Sequence, residues 1–115
     1  MKVSFENLGS ETVVKVVGRL DTNSAPDCER EFKPLFEGAY QQVVGDCSKL
    51  DDISSSGLRV FLKLQKAFVQ LGKESGKKYV LKLSGLNEDI REVFMVTGFF
   101  ALFTNLNPRK SSTRS

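Results

Sequence analysis

The sequence predicts an α/β fold: a single domain in which a mixed β-sheet carries helices mainly on one face. Short β-rich segments alternate with segments whose apolar residues recur at every third or fourth position, in the order β-β-α-β-α-β-α. The chain has 115 residues, of which 40% are hydrophobic and 27% charged, so it suits one domain with a modest core. We therefore expect one domain over residues 1–106 and a disordered polar and basic tail over residues 107–115.

The first half of the chain is predicted to form a hairpin, a loop and a helix. Val3–Phe5 and Thr12–Val17 are rich in β-forming residues and flank a turn-like group, which predicts an antiparallel hairpin. A loop begins at Gly18, and Ser24 has the position of an N-cap before apolar residues at helical spacing. Because proline lacks a backbone N–H, Pro34 is expected to end or kink this helix.

The second half contains the most clearly predicted helix. Gln42–Cys47 is a short apolar run that fits a buried strand, and an acidic turn with three serines follows it. The apolar residues of the next helix are three or four positions apart: Leu58, Phe61, Leu64, Phe68 and Leu71. Gly72 is predicted to end that helix. A strand over Tyr79–Leu83 then precedes a helix that is capped by Asn87 and ended by Gly98.

Composition argues against a membrane or nucleic-acid partner. The sequence has no apolar run long enough to span a bilayer, and its first residues lack a signal-peptide profile, so we expect a cytoplasmic protein. The net charge is +3, but Arg109, Lys110 and Arg114 all lie in the predicted tail. Without these three residues the basic and acidic side chains are equal in number, so the predicted domain has no basic excess.

Catalysis is not expected, because the chain has no histidine and so lacks the usual general base. We predict no catalytic residues, no cofactor and no enzyme activity. Gly72–Lys78 superficially resembles a phosphate-binding loop, but its glycines are one residue too close and it precedes a strand.

No metal site is expected either. Cys28 and Cys47 fit no close metal-ligand spacing and are predicted to be buried free thiols. Acidic residues in predicted loops could bind a divalent cation, but such residues are usually ordinary turn formers. These residues are Asp21, Asp46, Asp51 and Asp52.

The three serines Ser54–Ser56 lie where the acidic turn meets the long helix. One of them is expected to cap the helix, because a serine oxygen can accept from an unpaired N–H of the first turn. A helix N-terminus carries partial positive charge, so a hydroxyl there is also a favourable place for a phosphate. Thr22–Ser24 is a second hydroxyl-rich turn at a helix start. From spacing alone, capping without further function remains an open alternative for both groups.

The segment Leu50–Leu62 resembles the signature of STAS domains, the bacterial anti-sigma factor antagonist family. Gly18–Asp21 is similar to the Gly-x-Leu-Asp motif of that family, and Val43–Ser48 to its central strand. Gly85–Phe99 resembles its third helix and the corner that follows. The resemblance covers about residues 10–103 and implies a STAS-like fold.

The resemblance also implies a function. In that family an anti-sigma factor that is a serine kinase phosphorylates one serine of this turn, and the matching residue here is Ser55, with Ser56 and Ser54 as less favoured positions. The unphosphorylated form binds the kinase, which releases its client, and phosphorylation blocks the binding. Residues of the partner-binding surface follow by similarity: Asp21, Thr22, Ser54, Ser56, Gly57 and Arg59.

The implied partners are the kinase and a PP2C-type phosphatase, with the protein itself a monomer or a weak homodimer. One departure is that Ser54 stands where many members have aspartate. Two other classes of function remain open: a STAS-like sensor or scaffold that binds a small ligand or a larger complex without phosphorylation, and a small α/β enzyme, which the missing histidine disfavours.

Overall fold

The computed structural model describes residues 1–96 and 106–108. Within these residues the chain forms strands and helices in the following order: β1 (Lys2–Asn7), β2 (Thr12–Leu20), α1 (Ala25–Glu31), α2 (Lys33–Phe36), β3 (Gln42–Asp46), β4 (Leu50–Ile53), α3 (Ser55–Ser75), β5 (Val80–Leu86), α4 (Glu88–Val96) and β6 (Leu106–Pro108).

The strands form one mixed sheet in the order β1-β2-β3-β5-β6, and β4 pairs with the end of β2. β1 and β2 are antiparallel, with Lys2 opposite Val17 and Asn7 opposite Thr12, which confirms the predicted hairpin. The other pairs are parallel. The predicted fold class, an α/β domain with a mixed sheet, is therefore confirmed.

The helices cover one face of this sheet. Strand residues alternate between the two faces, and in β2, β3 and β5 every second side chain is buried under the helices. The outward residues Val13, Lys15, Val44 and Lys82 stay at least partly exposed. The largest fully buried side chains include four phenylalanines: Phe32, Phe61, Phe68 and Phe94.

Both cysteines lie in this core. Cys28 and Cys47 are completely buried and free, as predicted. Burial, which disfavours the charged thiolate, raises the pKa of each thiol to about 12. These side chains therefore act as small apolar residues in the packing.

The helix predicted around Pro34 is divided in two. α1 ends at Glu31, Phe32 separates the helices, and Pro34 lies in the first turn of α2, where its missing N–H removes no helical hydrogen bond. Ser24 occupies the N-cap position of α1, as predicted, but its side chain makes no cap hydrogen bond. Its hydroxyl donates to the carbonyl of Arg19 (2.8 Å) and accepts from the N–H of Asp21 (2.9 Å), so it closes the preceding loop instead.

The predicted acidic turn before the serines is a strand. β4 runs parallel to the end of β2, with Gly18 opposite Leu50 and Leu20 opposite Ile53. Leu50 and Ile53 are buried, whereas the two aspartates between them are exposed. This pattern departs from the two-residue alternation of a simple strand, and the pairing also contains a register shift at Gly18 and Arg19.

Gly72 does not end α3, contrary to prediction. The helix continues to Ser75, and Gly76 adopts the left-handed conformation (φ 72°) that favours glycine, with its N–H donating to the carbonyl of Gly72. The predicted cap of α4 is confirmed, because the Oδ1 atom of Asn87 accepts from the N–H of Ile90 at 2.8 Å.

The last described strand reaches into the segment that was assigned to the tail. Asn107 lies opposite Ser84 and Pro108 opposite Leu86, so both belong to the sheet. Gly98, the predicted end of α4, and the remaining tail residues 109–115 lie outside the described residues.

Candidate functional site

The candidate site lies where the carboxyl ends of β2 and β4 meet the first turn of α3. The N–H of Ser54 donates to the carbonyl of Leu20 at 2.9 Å, which joins the helix start to β2. Gly57 makes this approach possible: a Cβ at this position would lie 2.7 Å from the Leu20 oxygen and 2.9 Å from Ile53. Gly57 is buried, and its contact with a partner stays a prediction. Its lack of a side chain lets the first turn of α3 lie directly against β2 and β4.

The three serine hydroxyls have different environments. Ser54 is the N-cap of α3, and its Oγ accepts from the N–H of Gly57 at 3.4 Å. The Oγ of Ser56 lies 3.3 Å from the Oγ1 of Thr22. Ser55 is exposed, and within residues 1–96 and 106–108 its hydroxyl has no hydrogen-bond partner. Among the three, Ser55 therefore presents an uncommitted hydroxyl to solvent.

The loop between β2 and α1 is held by Asp21. Its Oδ1 accepts from the N–H groups of Asn23 (3.0 Å) and Ser24 (3.1 Å), and the Ser24 hydroxyl, which donates to Arg19, lies 3.2 Å from it. The N–H of Ser24 is the main cause of a lowered pKa of the Asp21 carboxyl; burial opposes it, and Asn23 adds to it. The ionised carboxylate thus fixes the loop that places Thr22 beside Ser56.

Charged side chains occur on the helix and the strands that hold these hydroxyls. Arg59 is exposed and follows Ser55 by four residues, so the two lie on neighbouring positions of the same helix face. Arg19 and Asp52 form an ion pair at 3.7 Å, in which both side chains are more than 60% exposed. Sequence reasoning missed this pair because it did not recognise β4, whose pairing with β2 brings the two residues together.

The arrangement offers hydroxyls for binding or modification. In the described part of the chain, no group of three or more His, Cys, Asp or Glu side chains could hold a metal ion. The described helices also include none that is long and apolar enough to cross a membrane. Thr22, Ser54, Ser55, Ser56 and Arg59 do come together at this end of the sheet, with Asp21 supporting the loop beside them.

Comparison with known proteins agrees with this fold. The STAS domain family model matches residues 2–112. The Bordetella bronchiseptica protein named "Putative anti-sigma factor antagonist BtrV" is 30% identical over 112 residues, which make up 97% of this chain and 91% of that protein.

Solved structures give the same result at lower identity. An anti-sigma factor antagonist from Mycobacterium paratuberculosis matches with a TM-score of 0.76 and 21% identity, over 95% of this chain and 86% of that one. The phosphorylated form of SpoIIAA, a Bacillus cell fate determinant, matches with a TM-score of 0.63 and 17% identity, over 90% of each chain. These two likenesses establish the fold, and the family match extends over nearly the whole sequence. The chain belongs to the STAS domain family.

Proposed function

We propose that the protein is an anti-sigma factor antagonist that works by partner switching, and that Ser55 is its phosphorylation site. The observation that carries this proposal is the uncommitted, exposed hydroxyl of Ser55 between two serines whose hydroxyls have structural partners. A kinase needs a hydroxyl that can reach the terminal phosphate of ATP. Of the three serines, Ser55 meets this need without the loss of an internal contact.

In the proposed reaction, the Oγ of Ser55 attacks the γ-phosphorus of ATP. An Oγ–P bond forms, the bond from phosphorus to the bridging oxygen breaks, ADP leaves, and a base of the kinase takes the hydroxyl proton. A PP2C-type phosphatase would reverse the modification by hydrolysis. The protein itself is the substrate and contributes no catalytic group.

The phosphate would change the charge of the surface and leave the fold intact. It adds about −1.5 to −2 charges at the N-terminus of α3, where the helix dipole favours an anion by about 0.3–1 kcal/mol. Arg59, one turn further along, can approach the phosphate. A partner surface that fits the neutral hydroxyl would instead have to bury this charge, and so binding should be lost.

The proposed partner of the unphosphorylated form is an anti-sigma factor with serine kinase activity. Thr22, Ser56 and Arg59 would contact it around Ser55, while Ser54 and Asp21 hold the turn and the loop in place. We propose no nucleic-acid or membrane partner and a cytoplasmic location. The relatives whose names support this role are the anti-sigma factor antagonists of Bordetella bronchiseptica and Staphylococcus aureus.

Phosphopeptide mapping after incubation with ATP and the serine kinase of the host tests the assignment. Ser55→Ala should abolish the modification, whereas Ser54→Ala and Ser56→Ala should retain it. Kinase binding by surface plasmon resonance should survive in Ser55→Ala and weaken in Ser55→Asp. Modification that maps mainly to Ser56 would refute the assignment. A chain that no kinase modifies would instead favour the sensor or scaffold function.

A further inference from the structure

β1 forms one outer edge of the sheet. Its residues Lys2–Asn7 pair with β2, and none of the described residues pairs with its other side. An open strand edge of six residues presents unpaired backbone N–H and C=O groups, which can template the addition of another strand. This edge contains none of the residues of the candidate functional site.

The hydrogen bonds between β1 and β2 show which residues of β1 direct their backbone N–H and C=O groups at the open edge. Beyond the end of β1, the N–H of Leu8 donates to the carbonyl of Glu11 at 2.8 Å, and the two strands stay in register from there. In an antiparallel ladder the backbone N–H and C=O groups of successive residues point alternately to the two sides of the strand. The even-numbered residues of β1, like Leu8, therefore point these groups at β2. The same alternation along β2 makes its even-numbered residues point away from β1. The N–H of Gly18 does so, because it donates to the carbonyl of Lys49 on the opposite side of β2. Val3 and Phe5 therefore direct their N–H and C=O groups to the open edge.

The side chains of β1 alternate in chemistry as well. Lys2, Ser4 and Glu6 are exposed on the outer face of the sheet. Val3 and Phe5 lie on the helix face, where they pack at the border of the core but remain half-buried. Within the described residues neither Lys2 nor Glu6 takes part in an ion pair.

We propose that this edge binds β1 of a second copy of the chain, antiparallel and centred on Ser4. In this register Val3 lies opposite Phe5 of the second copy, and both residues have their backbone groups directed at the edge. Two such symmetric pairs give four backbone hydrogen bonds. Lys2 lies opposite Glu6 of the second copy on the outer face, and the same pair recurs at the other end. On the helix face, Val3 and Phe5 cover each other's exposed parts.

Charge complementarity between Lys2 and Glu6 favours a second copy of the chain as the partner of this edge, and it favours the register centred on Ser4. The segment Lys2–Glu6 is self-complementary when two copies run in opposite directions, because unlike charges meet at both ends and Val3 meets Phe5 between them. The two neighbouring registers with outward-facing backbone groups would centre on Val3 and on Phe5. They would place Lys2 opposite Ser4 and opposite Leu8, respectively, so both ion pairs would be lost. The centre at Ser4 is therefore favoured.

Analytical ultracentrifugation of the full chain up to about 1 mM tests the proposal. A single pair of strands makes a small interface, so we expect a reversible dimer with a dissociation constant of roughly 10–500 μM. Lys2→Glu places two glutamates opposite each other at both ends, and it should weaken the dimer about tenfold or more. Glu6→Lys should weaken it similarly, for the reverse reason.

An equimolar mixture of Lys2→Glu and Glu6→Lys restores unlike charges at both ends. It should form a heterodimer about as tight as the parent dimer, and circular dichroism confirms that both variants are folded. Lys66→Glu, on the exposed face of α3, is the matched control with the same change in net charge, and it should dimerise like the parent. A parent chain that stays monomeric at 1 mM overturns the proposal. So does a dimer that Lys2→Glu affects no more than Lys66→Glu, or a mixture that forms no heterodimer.

Discussion

Gly57→Ala is expected to destabilise the protein, although alanine normally stabilises a helix interior by about 1 kcal/mol relative to glycine. The new Cβ would lie 2.7 Å from both the Cγ and the carbonyl oxygen of Leu20 and 2.9 Å from the Cγ1 of Ile53. Ordinary contacts between carbon atoms begin at about 3.5 Å, so the start of α3 must move outward by roughly 0.8 Å. The Leu20 oxygen cannot yield easily, because it also accepts from the N–H of Ser54.

Overpacking of this kind typically costs about 1–3 kcal/mol. After the gain in helix propensity, we expect a net loss of up to about 2 kcal/mol in the free energy of unfolding, with a fall in Tm of about 4–8 °C for each kcal/mol lost. Urea denaturation and a thermal scan by circular dichroism measure both values.

Gly72→Ala is the matched control in the same helix. Its Cβ would approach only the carbonyl oxygen of Lys77, at 3.2 Å, so the variant should stay within about 1 kcal/mol of the parent. If Gly57→Ala were as stable as Gly72→Ala, the close approach of α3 to β2 would not be what requires glycine at this position, and the reasoning would fail.

Three further predictions concern the surroundings of the site and the core. Ser54→Ala should lower the free energy of unfolding by about 1 kcal/mol in urea denaturation, because it removes the N-cap, whereas Ser55→Ala should leave it unchanged. Cys28 and Cys47 should not react with Ellman's reagent at pH 8 until the protein is denatured, since burial raises the pKa of both thiols to about 12. Asp21→Asn should lower the Tm at pH 7. The fold lowers the pKa of Asp21, so the ionised carboxylate stabilises the protein fully above the ordinary pKa of 3.8. This stabilisation is lost as the pH falls through the lower pKa of the folded state. The difference in Tm between the parent and Asp21→Asn should therefore disappear in acid.

The sequence predicted the elements whose signals are local and periodic. The hairpin, the apolar face of α3 and the Asn87 cap of α4 follow from residues that are near one another in the chain. β4 was missed, because its pairing partner at the end of β2 lies about thirty residues away and its two central aspartates point to solvent. Gly72 and Gly76 are equally plausible helix ends in a sequence, and only packing and cap geometry distinguish them.

The site could be located from the sequence, but the roles within it could not. Three consecutive serines before a helix predict one cap and leave its identity open. The contact between Ser56 and Thr22 joins residues 34 positions apart, so no local pattern reveals it. Gly57 was assigned to the partner surface by similarity to the family, and its burial results from its close approach to Leu20 at the end of β2.

The division of roles among the serines bears on where a switch can be placed. A phosphate on Ser54 would offer its oxygens to the N–H groups that the hydroxyl now caps, and one on Ser56 would disturb the contact of α3 with the loop at Thr22. Either modification would therefore act partly on contacts within the fold and only partly on a partner. At Ser55 no contact among the described residues is broken, and the helix dipole favours the added charge. A modification there can act almost entirely on the free energy of binding, where each 1.4 kcal/mol changes the affinity about tenfold.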